Sequence, residues 1–91
     1  MKQEDIVKRL RLFLEENFLY MRGDFDLKND TSLVRTGIID SMGVIELLYF
    51  IEEEFGVQVV DEDVTEANLG TINAVAGYVI GHSIADERQR A

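Results

Sequence analysis

The chain has no cysteine, no proline and no tryptophan. Without cysteine there is no disulfide framework, no thiolate metal site and no cysteine nucleophile. So small a domain without disulfides fits a reducing compartment, and a cytoplasmic location is expected. The N-terminal stretch MKQEDIVKRL lacks the apolar core of a signal peptide. No apolar run approaches the length of a membrane span, so no membrane insertion is expected. Basic side chains are scarce in a patterned way. Residues 1–35 carry seven acids and seven bases, whereas Thr36 to Glu87 holds eleven Asp and Glu and no Lys or Arg, within a net charge of −9. Such a field repels nucleic acid and anionic membranes and attracts basic protein surfaces. A solvated acidic surface that only aids solubility has the same signature.

What is present is enough for one fold. Ninety-one residues, 46% of them hydrophobic, make a single small domain with one core. Residues 1–91 are read as that domain, with an ordered core over about 4–80 and a frayed tail over 81–91. Ile6, Val7, Leu10, Phe13 and Leu14 recur at helical spacing and predict a first helix over about residues 3–20, broken by Gly23. Residues 22–40 read as a long loop, rich in Gly, Asp, Asn, Thr and Ser, which Phe25, Leu27 and Leu33 could pin to the core.

A second helix is predicted from Asp40 or Ser41 to near Gly56, a residue suited to the left-handed position that closes a helix. VQVV alternates like a strand but has no partner, so it reads as an extended link. DEDVTEANLG predicts one or two helical turns capped by Asp61, with Gly70 at the end. Thr71 then caps a final helix whose stripe is Ile72, Val75, Ala76, Val79 and Ile80. The expected fold is all-α: a small four-helix bundle of three longer helices and one short one, with a long loop between the first two.

The second helix has two distinct faces. At about 100° per residue, Val44, Leu47, Leu48, Ile51 and Phe55 gather on one side as a core stripe. Met42, Ile45, Glu46, Tyr49 and Glu53 gather on the opposite side, flanked by Glu52. Apolar anchors rimmed by carboxylates fit a docking patch for a partner with a basic rim. The competing expectation is that the 22–40 loop folds back over them. Ser41 stands at the head of this helix, where free N–H groups and the positive end of the dipole accommodate a phosphate. Asp40 can itself cap the helix and leave the Ser41 hydroxyl outward. An Asp-Ser pair at a helix start is, by itself, more often a plain cap.

Residues 33–56, LVRTGIIDSMGVIELLYFIEEEFG, resemble the central helix of an acyl or peptidyl carrier protein. The matching residues are Gly37, Asp40, Ser41 and Met42, then Glu46, Leu47 and the run Glu52 to Gly56. Helix order, loop length and acidity extend the resemblance over about residues 4–80. It implies a protein that is not an enzyme. A phosphopantetheinyl transferase would attach 4′-phosphopantetheine to Ser41, beside Asp40, giving a phosphoprotein whose flexible arm ends in a thiol. An acyl or aminoacyl group would ride there as a thioester, loaded by a ligase and passed to downstream synthases or transferases of fatty acid, polyketide or nonribosomal peptide biosynthesis. Asp40, Met42, Ile45, Glu46, Tyr49 and Glu53 would meet those partners, and a monomer is expected. Gly43 departs from the fatty-acid-synthesis type, which usually has an acidic residue there, and no proline precedes the third helix. GIIDSMG is closer to free-standing carriers of specialised metabolism or D-alanyl transfer.

Other classes fit less well. His82 is the only histidine and falls near the expected frayed end, and Asp40 is a poor base for a serine nucleophile. DEDVTE lacks the layout of a calcium loop, so no metal site is expected. The main alternative is a non-catalytic acidic helical adaptor in which Ser41 is only a helix cap.

Overall fold

The computed structural model describes residues 2–19 and 26–90, with residues 83–90 described by backbone alone. Four α-helices follow one another: α1 (Gln3–Phe18), α2 (Ser41–Phe55), α3 (Glu66–Leu69) and α4 (Ile72–Arg90), with a 3-10 turn at Asp61–Asp63 before α3. No strand occurs among the described residues, and VQVV is an extended link whose Val57 is buried. The all-α expectation of three longer helices and one short one is met.

In α1, Ile6, Leu10 and Leu14 are spaced by four and fully buried. Glu4 and Asp5 lie in its first turn, where the helix dipole favours negative charge. Leu47 and Ile51 of α2 meet this stripe from the core, joined by half-buried Val44, Leu48 and Phe55. Phe50 extends the contact outward. Its ring stacks on Phe13 at 4.3 Å and meets Phe55 edge-on at 5.7 Å. Ile72, Val75, Ala76 and Val79 of α4 close the core, with Tyr78 alongside. Gly56 ends α2 at φ +66°, a left-handed conformation that costs glycine little. Thr71 Oγ1 accepts from the Ala74 N–H at 3.0 Å and starts α4 as expected.

The segment after residue 25 is a loop in chain path but is held at many points. Leu27, Leu33, Ile38 and Ile39 are buried. Arg11 donates from Nη1 to the Leu27 carbonyl at 2.6 Å and from Nη2 to Asn29 Oδ1 at 2.7 Å. The Leu33 N–H reaches the Gly70 carbonyl, the Asn73 N–H reaches the Asn29 carbonyl, and Ser32 Oγ donates to Glu66. The loop is thereby tied to α1, α3 and α4, and its buried leucines act as the sequence predicts for Leu27 and Leu33. Gly23 and Phe25, also assigned roles from sequence, lie outside the described residues.

One local expectation is corrected. DEDVTEANLG forms two short turns ending at Gly70, as expected, but Asp61 is not their cap. They are the 3-10 turn and α3, and the cap of α3 is Thr65, whose side chain accepts from the Asn68 N–H. The backbone of the last helix runs through Gly77 and Gly81 to Arg90. A glycine inside a helix costs about 1 kcal/mol relative to alanine, which the good helix formers that follow can absorb.

The 3-10 turn is fastened to α4 by Tyr78, whose buried ring sends its hydroxyl to Asp63 Oδ2 at 2.7 Å. Burial, then the hydrogen bond to Asp63 and its negative charge, push the phenol up to about 12 from an ordinary value of 10.0. Below pH 10 the phenol keeps its proton folded or unfolded. Between about 10 and about 12 the unfolded chain releases a proton that the folded chain retains, so stability falls as pH rises through that window. Urea melts of the wild type and Tyr78→Phe across this range should show a downward slope in the difference between them; parallel curves would refute the assignment. Leu47→Ala removes a side chain that is 1% exposed and should lower the unfolding free energy by about 2–5 kcal/mol. A denaturant midpoint that does not move would remove Leu47 from the core.

Candidate functional site

The start of α2 is built from the residues GIIDSMG. Gly37 adopts φ +77° and turns the chain so that Ile38 and Ile39 enter the core. The next residue, Asp40, is extended and caps the helix. Its Oδ1 accepts from the Gly43 N–H at 2.8 Å, and its own carbonyl accepts from the Val44 N–H at 3.0 Å. Ser41 is therefore the first helical residue and not the cap. It is exposed, and among the described residues its hydroxyl makes no hydrogen bond. The N–H groups of Ser41 and Met42 belong to the open first turn and have no intrahelical acceptor. A free alcohol beside unpaired donors and the positive helix end suits a phosphodiester. The donor set thus fits a serine-linked phosphopantetheine.

Gly43 explains its own departure from an acidic residue. A Cβ there would stand 2.9 Å from the Ile39 Cβ and 3.1 Å from a ring carbon of Phe18. The Ile39 Cβ is fixed to the backbone and cannot swing away. The bare glycine lets the C-terminal end of α1 lean on the first turn of α2. Sequence periodicity does not show this, because the contact joins residues far apart in the chain.

The five residues assigned to the outer face stand together in the open. Met42 is 66% exposed, Ile45 44% and Tyr49 63%, and Glu46 and Glu53 are exposed beside them. The described part of the loop leaves them uncovered; its Leu27, Leu33, Ile38 and Ile39 turn inward, while Val34 is itself half exposed. On the other side of α2 an apolar cavity of about 150 Å³ is lined by Val34, Ile39, Val44, Leu47, Val64 and Leu69, with the ends of α3 at its rim. A second, more polar groove of about 300 Å³ lies where the end of α1 meets the start of α2, with Asn17, Phe18, Ile38, Asp40, Met42 and Glu46 around it. By helical rotation Ser41 stands between these two spaces. Asn17, Phe18, Gly43 and the Phe13–Phe50 stack are the parts near the site that sequence reading missed.

His82 is not a loose surface residue. Its ring stacks on Tyr78 at 3.8 Å, and its Nδ1 lies 2.9 Å from the Tyr78 carbonyl. It belongs to the Tyr78–Asp63 fastening and not to the α2 site. No cluster of metal-ligating residues occurs among the described residues, and none of the described helices is long and apolar enough to cross a membrane.

Residues 19–79 match the family model described as "Phosphopantetheine attachment site". The match spans about two-thirds of the chain, and the chain belongs to that family. It is a non-catalytic carrier domain that bears a 4′-phosphopantetheine arm and serves a phosphopantetheinyl transferase and partner enzymes. A chain in the crystal structure of an FAD-dependent dehydrogenase is similar in fold, with a TM-score of 0.69 and 24% identity over 77% of this chain and 97% of that one.

Gly43→Glu places a side chain into the contact with Ile39 and Phe18 and should destabilise the fold by about 1–3 kcal/mol. Thermal or urea unfolding would show it; an unchanged midpoint would mean that α1 and α2 are not in contact there.

Proposed function

We propose that Ser41 is the residue that carries the arm. The observation that supports this most directly is the division of labour at the head of α2. Asp40 satisfies the cap, which frees the Ser41 hydroxyl for esterification. The adaptor alternative needs Ser41 as the cap, and that position is taken. When attached, the arm supplies a thiol on which an acyl or aminoacyl cargo is held as a thioester, and this cysteine-free chain has no thiol of its own.

Met42, Ile45 and Tyr49, rimmed by Glu46 and Glu53, form the surface that transferase, loading ligase and downstream synthases read in this proposal. Exposed apolar side chains of this kind contribute area, and the carboxylates speed encounter with a basic patch. A small apolar centre with a charged rim favours contacts that form fast and release fast, as a shuttling carrier requires. The wording GIIDSMG, and a glycine at position 43 held by packing, favour a free-standing carrier of specialised metabolism or D-alanyl transfer over a fatty-acid-synthesis carrier. Monomeric behaviour and a cytoplasmic location complete the proposal.

Incubation with a broad-range phosphopantetheinyl transferase and coenzyme A should add the mass of one prosthetic group, and Ser41→Ala should add none. A wild type that stays bare, or an alanine variant that still gains mass, would overturn the assignment. Glu46→Lys with Glu53→Lys should lower the kcat/KM of a partner enzyme about tenfold or more, at least ~1.4 kcal/mol of transition-state binding, with helicity unchanged. Unchanged rates would remove this face from recognition.

A further inference from the structure

The groove at the junction of α1 and α2 has a chemistry of its own. The polar side chains around it offer acceptors. Asn17 Nδ2 donates to the Phe13 carbonyl at 2.8 Å, which turns the amide oxygen of Asn17 away from its own helix. Asp40 uses Oδ1 for the cap and keeps Oδ2 free, and Glu46 adds a second carboxylate. Among the described residues, no Lys, Arg or His lines the groove. Phe18, Ile38 and Met42 supply apolar wall between these acceptors. At about 300 Å³ it reaches the lower end of the ~300–1,000 Å³ range of small-molecule sites. The described lining suits an occupant that is uncharged, rich in N–H or O–H donors and partly apolar, because a free anion would face the carboxylates of Asp40 and Glu46.

The segment of a phosphopantetheine arm beyond its phosphate has this character. A carbon bearing two methyl groups comes first, then a hydroxyl, then two amide N–H groups. Asp40 and Met42, which line the groove, flank Ser41 on either side in the chain, so an arm esterified to Ser41 begins at the groove's edge. Tethering makes the local concentration of the arm high, and even weak contacts are then populated. The phosphate stays at the positive helix end, outside the acidic lining.

Resting on the reading that Ser41 is the attachment point, we propose that this groove seats the neutral middle of the arm. The dimethyl carbon lies against Phe18 and Met42, and the hydroxyl and amide donors are held by Asn17 and Glu46. Gly43 is the residue that makes the seat. Without its bare backbone α1 could not close against α2, and the Asn17–Phe18 wall would stand off. The seat lies on the α1 side of Ser41, away from the apolar cavity lined by Val44, Leu47 and Leu69.

Isotope-labelled protein loaded with an unlabelled arm by the transferase and coenzyme A tests this, with intact mass as the check on loading. Expected are amide shifts at Asn17, Phe18, Ile38 and Glu46 beyond those at residues 40–42, and filtered NOEs from the two arm methyls to Met42 and the Phe18 ring. Asn17→Ala alters one exposed side chain outside the α2 docking face, so helicity and loading should survive while the shifts at Phe18 and Ile38 collapse toward those of the unloaded protein. Full loading with shifts confined to residues 40–42, or gathered at Val44, Leu47 and Leu69, would overturn the seat and leave Ser41 standing. Failure to gain mass would overturn both.

Discussion

The hydrogen bond from the Gly43 N–H to Asp40 Oδ1 decides what the head of α2 can do. A helix start must satisfy or expose its first N–H groups, and a serine there is commonly drawn into that task. Asp40 takes the task instead and does so from outside the helix. The serine that follows is left with an exposed hydroxyl, adjacent unpaired donors and the positive end of the dipole. Those are the conditions under which a phosphodiester can be made and kept at that oxygen.

The cap holds only because the segment before it is fixed. Ile38 and Ile39 are buried immediately upstream, and Gly37 supplies the turn that points them inward. Arg11 anchors the earlier part of the loop through two carbonyl-type oxygens, and the Leu33–Gly70 and Asn29–Asn73 backbone bonds tie it to α3 and α4. A long loop carries a large conformational entropy when free. Here that entropy is surrendered to burial and to backbone pairing, which fixes the segment that leads into the head of α2.

Charge and shape are divided between the faces of α2. Its inward face is apolar and packed in the core, and its outward face exposes Met42, Ile45 and Tyr49 beside Glu46 and Glu53. Basic side chains are concentrated before residue 36 and partly occupied there, Arg9 with Glu54 and Arg11 with the loop.

The bounds of α2, the left-handed Gly56, the Thr71 cap and the core stripes of α1, α2 and α4 were legible in the sequence. Each depends on residues within one or two turns of each other, and local spacing carries that information. The Asp40–Ser41 pair was legible as two possibilities, cap or cargo site, because both residues can cap; only the folded backbone shows which oxygen faces the Gly43 N–H. The Thr65 cap of α3, the Arg11 clamp, the Phe13–Phe50 stack and the Tyr78–Asp63–His82 fastening were not legible. So too was the reason for a glycine at position 43: its neighbours Ile39 and Phe18 come from a turn and from another helix. Local pattern settled which segments are helical and which serine to watch. Contacts across the chain, which no periodicity encodes, decided what lies on either side of that serine and why its hydroxyl is free.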